Sequence, residues 1–445
     1  MVKLIYDSLK YNRHYQWKRT DILALSMRLF RRTVKAAYLR SPFYRELYAS
    51  HGIKYRDLSQ LAPSDLPIID KEMIRSDFDR IATIPIHKKS EPEGNEHFFL
   101  LPGIGYLVHT SGSTGKPCRF FYSKSAVTAL ESNFVRLSIN GGKSRVSFAD
   151  FPIQSLHVSS VGKGYASMLL AQNGLKSYHA KSVIVDASTP LEEWNEKIGS
   201  FSPSYLSGYP SCIHIVAELQ KAGQLHLLPK KIITGGEPMG KREMRQLSEL
   251  FGADVINYYG CTESILIGAG ASWYEGIYLF DDLNFLETDS QNRLIITPLT
   301  NRAFPLIRYR LDDIVEGFRK DFVPPLPFTH IDQIAGRVEE LLWFDNEKGK
   351  KDFLHPLFLD DLDVEGIEKY QFEQTGKANF IIRCMTSVSN QADLEKEIRG
   401  QIDRMLRRKA MRNVQYGVEF VSRIAPDPKS GKIKMVIKRE NGSSI

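Results

Sequence analysis

His109-Thr110-Ser111-Gly112-Ser113-Thr114-Gly115-Lys116-Pro117 joins two short runs, 104–108 and 119–122, whose residues are typical of β-strands. Gly112 and Gly115 allow positive φ and a close approach of the backbone to a ligand. The amides between them and the neighbouring hydroxyl groups can converge on phosphate oxygens, and Lys116 adds a positive charge. The spacing differs from that of the P-loop, which has four residues between its glycines and Ser or Thr after Lys. We predict a phosphate-binding hairpin tip of another kind; the alternative is a flexible Gly/Ser linker.

The sequence T-S-G-S-T-G-K-P resembles the phosphate loop of the adenylate-forming enzymes, the superfamily of acyl-CoA ligases and related synthetases. It has the form seen in the phenylacetate–CoA ligase branch. The resemblance implies that ATP binds here and that Lys116 acts in catalysis. The ATP-binding residues that it implies in this loop are Thr110, Ser111, Gly112, Ser113, Thr114 and Gly115. The resemblance to this superfamily extends over nearly the whole chain, because further stretches resemble the family's other motifs and occur in the expected order.

The composition is that of a soluble globular protein with a substantial core, since 42% of the 445 residues are hydrophobic and 25% are charged. The net charge of +8 suits small polyanionic substrates such as nucleotides, and no basic stripe predicts nucleic-acid binding. The 4 cysteines are far apart, without zinc or disulfide spacing, which favours a reducing cytoplasm. From the sequence we expect neither a signal peptide nor a membrane-spanning segment. A homodimer is left open.

Strands and helices alternate after the glycine-rich loop, with a buried strand at 183–185 and a helix started by a capping box at Thr189-Pro190-Leu191-Glu192. This rhythm predicts a mostly parallel sheet with helices on both faces and ligands at the carboxyl ends of its strands. We predict an α/β fold with a large N-terminal adenylation domain, residues 1–336, that includes a small β-barrel-like part. A small α+β C-terminal domain, residues 337–445, is predicted to follow, and the resemblance implies that it is mobile and joined through a hinge.

Asn257-Tyr258-Tyr259-Gly260-Cys261-Thr262-Glu263 follows a predicted strand and resembles the family's Y-G-x-T-E motif. The resemblance implies that the Tyr259 ring stacks on adenine and that Tyr258 and Gly260 also belong to the cofactor-binding residues. It also implies that Thr262 bonds a phosphate and that Glu263 holds Mg and acts in catalysis. The alternative is an edge aromatic residue followed by a Thr/Glu pair that starts a helix.

Two further stretches resemble nucleotide-binding motifs of the family. Gly235-Gly236-Glu237-Pro238 also follows a strand, and in the family this turn packs along the adenine. Arg308-Tyr309-Arg310-Leu311-Asp312-Asp313 resembles Y-R-T-G-D, which implies that Asp313 accepts the ribose hydroxyls. Leu311 and Asp312 differ from the residues usually found at these two positions of the motif.

The last two motifs lie near the predicted domain boundary and near the C-terminus. Ile334-Ala335-Gly336-Arg337-Val338-Glu339 resembles the family's hinge, which implies that Arg337 contacts the ribose or a phosphate and that Glu339 lies at the pivot. Pro426-Asp427-Pro428-Lys429-Ser430-Gly431-Lys432 resembles P-R-T-x-S-G-K, which implies that Lys432 is the catalytic lysine. The alternatives are an ordinary Arg/Glu-rich domain start and a solvated turn.

Three residues are candidates for the wall of the acid pocket: His157, Tyr209 and Tyr258. His157 lies in a segment that resembles the family's P-l-f-H, and the alternative is a core histidine with satisfied ring nitrogens. The resemblance implies ATP-dependent activation of a carboxylic acid, aromatic in the closest branch, to an acyl-adenylate, with CoA as the acceptor. Because Trp343–Leu359 departs from that branch, a non-CoA acceptor (amine, carrier protein, cofactor or saccharide) stays open, as does a non-catalytic nucleotide-binding regulator.

Overall fold

The computed structural model describes most of the chain. The described residues are 2–86, 99–101, 103–109, 118–134, 136–137, 141–144, 150, 152–159, 180–199, 201–237, 239–335, 341–354, 359, 362, 364–424 and 435–438.

The chain begins with helices that pack on the core. They are α1 (Val2–Arg13), α2 (Arg19–Arg40), α3 (Pro42–Ser50) and α4 (Lys71–Ile81). Helix α2 buries Ile22, Phe30 and Val34 along one face, and it ends where Ser41 and Pro42 begin α3. Ser41 Oγ accepts a hydrogen bond from the backbone N–H of Tyr44, which caps α3. None of the helices in the described ranges combines the length and the apolar character that crossing a membrane requires.

A sheet of eight strands forms the centre of the molecule. Its strands are β4 (Gln154–Ser159), β5 (Lys181–Asp186), β6 (Tyr205–Gly208), β7 (Lys231–Gly235), β8 (Asp254–Tyr259), β9 (Gly268–Ala271), β10 (Ile277–Leu279) and β14 (Thr329–Ile331). The order is β14-β10-β9-β8-β7-β6-β4-β5, and the pairs among β5, β4, β6, β7 and β8 are parallel. The predicted parallel sheet is thus confirmed. The burial expected for 183–185 is wrong for most of the strand, because β5 is an edge strand with Ile184 exposed.

Helices cover both faces of this sheet, as the alternating pattern predicts. They are α5 (Lys124–Phe134) on one face, and α6 (Leu191–Ile198), α7 (Pro210–Lys221) and α8 (Lys241–Phe251) on the other. Helix α8 buries Met244, Leu247 and Phe251, spaced three and four residues apart, and ends at Gly252 in the left-handed conformation. The capping box predicted at Thr189 is wrong, since α6 begins at Leu191 and its first N–H bonds Asp352.

Two smaller antiparallel sheets lie beside the central one. They consist of β1 (Phe99–Leu101), β2 (Gly105–His109) and β3 (Arg119–Ser123), and of β11 (Asn284–Thr288), β12 (Arg293–Pro298), β13 (Tyr309–Glu316) and β15 (Gln333–Ala335). The second takes the place of the predicted barrel-like part and is a four-stranded sheet in the order β11-β12-β13-β15.

A separate C-terminal α+β region follows residue 340. Its elements are β16 (Leu342–Asp345), β17 (Lys351–Leu354), β18 (Ile367–Gln374), β19 (Asn379–Thr386), α9 (Gln391–Arg408), β20 (Gln415–Phe420) and β21 (Val436–Lys438). Phe372, Ile382 and Ile398 belong to its own apolar core. Strands β19 and β20 are parallel and are joined by α9 in a β-α-β unit, which confirms the α+β character predicted for this region. The predicted boundary at 336/337 lies outside the described residues.

Candidate active site

The site lies where β7 and β8 end beside each other in the central sheet. Gly235 at the end of β7 pairs with Tyr258 on β8, so the turns that follow the two strands are neighbours at the carboxyl edge. In parallel α/β sheets this edge is where ligands bind. Strand β13 of the neighbouring sheet meets the same edge through its side chains.

Two hydrogen bonds join the turn after β8 to β13. Tyr259 Oη donates to Asp313 Oδ2 at 2.9 Å, and Tyr309 Oη donates to Glu263 Oε1 at 3.0 Å. Asp313 is 3% exposed, whereas Tyr259 and Glu263 are half-buried and retain access to solvent. The structure therefore brings together motif residues that are 54 and 46 positions apart in the sequence.

Burial and charge keep Tyr309 a hydrogen-bond donor. Burial, followed by the nearby Glu263 carboxylate, raises the pKa of the Tyr309 phenol far above its ordinary value. The same two causes raise the pKa of the Cys261 thiol well above its ordinary value. At neutral pH both groups are therefore protonated and neutral.

The base of the predicted phosphate hairpin is part of this site. Strands β2 and β3 pair antiparallel from Gly105–Ser123 to His109–Arg119, which confirms the expected hairpin stem. Tyr122 Oη on β3 donates to the backbone carbonyl of Thr262 at 2.8 Å. The tip residues predicted to bind ATP, Thr110 to Gly115, and the predicted catalytic Lys116 lie outside the described residues.

The turn after β7 is shaped by Gly236, whose φ is +85°. A Cβ atom there would lie 3.0 Å from the Tyr209 ring, so the backbone and this ring are in close contact. Glu237 accepts hydrogen bonds from Ser211 N at 2.9 Å and from Ser211 Oγ at 2.8 Å, at the start of α7. Its carboxylate thus anchors the turn to a helix N-terminus. Pro238 lies outside the described residues.

The two adjacent tyrosines of the Y-Y-G segment have different surroundings. Tyr258 is 5% exposed, stacks on Phe134 of α5 with ring centroids 4.6 Å apart, and donates to the Phe134 carbonyl. Tyr259 points to Asp313 instead. The Tyr259 ring, which the resemblance assigns to adenine stacking, lies at the Asp313 side of the edge. Gly260 is half-buried, and a Cβ there would lie 2.0 Å from the Ile265 carbonyl oxygen.

His157 is on β4, on the same face of the sheet as Tyr258 but three strands away, which is about 14 Å across the strands. Its register partner on β8 is Ile256, two residues before Tyr258. Its ring nitrogens bond two hydroxyl groups, Nδ1 with Ser207 Oγ and Nε2 with Ser159 Oγ, each at 2.9 Å. Burial lowers the pKa of the imidazole to about 4, so His157 is neutral at physiological pH. It does not contact the Tyr259–Asp313 pair directly.

Sequence reasoning missed three residues that hold the site together: Tyr309, Tyr122 and Arg308. Arg308 has φ of 53° and is 7% exposed. Its Nε donates to Glu287 at 3.1 Å and its Nη1 to the Ser64 carbonyl at 2.9 Å, which fixes the start of β13 beside Tyr309. Arg308 and Tyr309 belong to the stretch that resembles Y-R-T-G-D, but the motif does not indicate which of its side chains faces Glu263.

Arg337, Glu339 and Lys432 lie outside the described residues. Within the described part of the chain, no group of three His, Cys, Asp or Glu side chains could hold a metal ion.

Comparison with known proteins identifies relatives of the chain. Residues 101–288 match the AMP-binding enzyme family. Phenylacetate-coenzyme A ligase of Escherichia coli is 24% identical in an alignment that covers 72% of this chain and 72% of its own. Protein CapK of Staphylococcus aureus is 24% identical over 97% of this chain and 94% of its own. Fumarate–(S)-2,3-diaminopropanoate ligase of Enterobacter agglomerans is 23% identical over 63% of this chain and 67% of its own.

A solved structure shares the fold. The 2-hydroxyisobutyryl-CoA ligase in complex with 2-HIB-AMP and CoA superposes with a TM-score of 0.58 at 19% identity, over 96% of this chain and 91% of its own. The matched family region contains the hairpin and the turns after β7 and β8, where the site residues meet. Residues 101–288 therefore match the AMP-binding enzyme family, and the chain as a whole is similar to the phenylacetate–coenzyme A ligases and shares its fold with an acyl-CoA ligase.

Proposed function

We propose that the chain joins a carboxylic acid, aromatic in class, to ATP at the edge formed by the turn after β8, strand β13 and the β2–β3 hairpin. The products of this step are an acyl-adenylate and pyrophosphate, and the acyl group then passes to CoA. The pair of bonds Tyr259–Asp313 and Tyr309–Glu263 carries the proposal, because they bring a ribose-type acceptor and a metal-type ligand to one edge.

The nucleotide would bind along the carboxyl edge. Asp313 would accept the ribose hydroxyls, and the Tyr259 ring, held toward Asp313, would stack on the adenine. The turn Gly235-Gly236-Glu237-Pro238 would lie along the same base, with Thr262 and the hairpin tip bonding phosphates. Arg337 would contact the ribose or a phosphate.

Glu263 fits a magnesium ion that arrives with the nucleotide. Its carboxylate is half-buried and oriented by Tyr309, and hard oxygen atoms of carboxylates and phosphates are the ligands that Mg²⁺ prefers. When bound, the ion would neutralise charge on the phosphates.

Charge explains why the chain would need cations around the reacting groups. The acid's carboxylate oxygen forms a bond to the α-phosphorus, and the bond from that phosphorus to the bridging oxygen breaks as pyrophosphate leaves. Two anions about 4 Å apart repel by roughly 4 kcal/mol at an effective dielectric near 20. Lys116 on the outer phosphates and Lys432 near the carboxylate would offset this repulsion and stabilise the transition state.

The acid would bind on the α5 face of the sheet. Tyr258 and His157 share that face, and Tyr209 borders the turn after β7. His157 offers a neutral imidazole whose position is fixed by Ser207 and Ser159. In the second step a CoA thiolate would attack the acyl carbon and release AMP. We assign the large domain to residues 1–336 and the mobile domain to 337–445, with Glu339 at the pivot.

A non-CoA acceptor is the second candidate. Trp343–Leu359 departs from the phenylacetate–CoA ligase pattern, and its described part forms the hairpin β16–β17 with the charged turn Asn346–Lys350. One relative, fumarate–(S)-2,3-diaminopropanoate ligase, has an amino acid and not CoA in its name. An amine acceptor is therefore the main alternative for the second step.

The test is an acid panel in two assays. We expect acid-dependent exchange of labelled pyrophosphate into ATP, strongest for one class of acids, followed by thioester formation on addition of CoA. Adenylate trapped by hydroxylamine without thioester formation would replace CoA with another acceptor. ATP binding without exchange, for any aromatic or aliphatic acid, would overturn the proposal in favour of a nucleotide-binding regulator.

A further inference from the structure

A buried lysine joins the C-terminal region to the edge of the central sheet. Lys409 follows the last residue of α9, and its side chain is 0% exposed. Its Nζ contacts Asp352 Oδ1 at 2.9 Å and donates to the carbonyls of Ala187 at 3.0 Å and Thr189 at 2.8 Å. These three acceptors satisfy the three N–H groups of an ammonium ion.

The same cluster explains why α6 begins without the expected Thr189 cap. The other Asp352 oxygen, Oδ2, accepts the N–H of Leu191, the first residue of α6, at 3.1 Å. The two residues are 161 positions apart. The carboxylate thus caps a helix of the large domain from a strand of the C-terminal region. We call Lys409, Asp352 and the backbone of 187–191 the Lys409 clamp.

Aromatic rings shield the clamp from water. The Lys409 Nζ lies 4.4 Å from the centre of the Phe353 ring, and Phe353 makes an edge contact with the buried Trp194 of α6 at 5.9 Å. Phe353 belongs to the apolar core of the large domain, although it is part of β17. Burial lowers the pKa of the Lys409 ammonium, and the Asp352 carboxylate opposes this shift.

Other ion pairs of this interface are exposed. Lys348 and Lys350 bond Glu192, and Arg408 bonds Asp186 at 2.6 Å, each through a cation whose side chain is at least half exposed. Exposed pairs of this kind contribute little to stability. Removing one partner of a buried pair is costly, because a charge is left without compensation. Among these ion pairs, that of the clamp is therefore the one whose loss should cost the most.

We propose that Lys409 and Asp352 are positioning residues that set the orientation of the C-terminal region against the large domain, and thereby the location of Lys432. Strand β21 begins at Val436 and is paired with β18 in the C-terminal sheet. Lys432 precedes this strand by four residues, which reach about 14 Å at most. The orientation of the C-terminal sheet therefore limits where the amine can go. This inference rests on the proposed role of Lys432 in adenylation.

The orientation is measured by carbodiimide cross-linking of Lys350 to Glu192, whose charged atoms are 2.9 Å apart across the interface. The link between Lys197 and Glu193, 3.4 Å apart within α6, is the internal reference. We expect Lys409→Met to lower the ratio of the two links at least fivefold. The exposed variant Lys396→Met removes the same charge from α9 and leaves the ratio unchanged.

The double variant Lys409→Met/Asp352→Asn distinguishes positioning from a folding defect. It removes both charges and keeps an oxygen for the Leu191 N–H, so we expect it to restore at least half of the cross-link. In Lys409→Met the rates of adenylation and of acyl transfer should change by different factors, whereas a loss of folded protein would lower both equally. An unchanged cross-link ratio, or equal loss of both rates, overturns the inference. If the wild type adenylates no acid, the proposed function fails, and the cross-link still tests the clamp.

Discussion

Tyr309 is the residue whose removal tests the geometry of the site most selectively. The substitution Tyr309→Phe deletes only the hydroxyl that donates to Glu263 Oε1 at 3.0 Å. The residue is 2% exposed, and Phe keeps the ring that meets Phe120 edge-on at 6.4 Å. The packing of β13 should therefore survive.

The expected loss follows from the charge on the acceptor. A hydrogen bond to a charged group contributes about 1.5–3 kcal/mol, and 1.4 kcal/mol is a factor of ten. Without the hydroxyl, Glu263 would lose the donor that orients it for the magnesium ion that we propose it binds. We expect the Mg²⁺ concentration for half-maximal pyrophosphate exchange to rise at least about tenfold, with a smaller effect on the KM of the acid.

Tyr44→Phe is the matched control. Tyr44 is fully buried, its hydroxyl donates to the Pro305 carbonyl at 2.9 Å, and it accepts from the N–H of Ile307. Loss of this hydroxyl should lower the melting temperature without changing the Mg²⁺ dependence. If Tyr309→Phe exchanges pyrophosphate with the wild-type Mg²⁺ dependence and rate, Glu263 is not the metal ligand that we propose.

Two further predictions use the same structure. Asp313→Asn should raise the KM of ATP by about tenfold to a hundredfold, because a carboxylate accepts hydrogen bonds from both ribose hydroxyls better than an amide does. The variant should also show a smaller preference for ATP over 2′-deoxy-ATP. An unchanged preference would mean that Asp313 does not bind the ribose. For His157, burial lowers the pKa from 6.5 to about 4, so the unfolded chain binds the proton first as the pH falls. The stabilisation from the neutral imidazole is complete above about pH 6.5 and is lost as the pH falls toward 4. Urea unfolding of His157→Gln should show a weaker loss of stability over this pH range than the wild type, and equal slopes would contradict the assignment.

The sequence predicts the central sheet because its signal is local. Short apolar runs such as 231–234 and helices such as 241–251 carry their own periodicity and end signals. The same is true of the β-α-β unit around α9. The edge position of β5 was not predictable, because apolar residues at 183–185 do not say whether a neighbouring strand will cover them.

Contacts between residues that are far apart in the sequence were not predicted. Thr189 reads as a helix cap, yet the cap comes from Asp352, and nothing near Leu191 indicates a partner so far along the chain. The motifs indicated which turns converge, as the Tyr259–Asp313 bond shows. They did not indicate that Tyr309 turns toward Glu263, because the direction of a side chain at a strand start depends on the neighbouring sheet.

The measurement that tests the central claim most directly is acid-dependent pyrophosphate exchange in Lys432→Ala beside Lys434→Ala. Both variants remove one positive charge from the same short segment, but only Lys432 is assigned to the reacting carboxylate. We expect the Lys432→Ala rate to fall by about a hundredfold or more, while Lys434→Ala stays within about twofold of the wild type. Equal rates in the two variants, with ATP still bound, would contradict the proposed adenylation site.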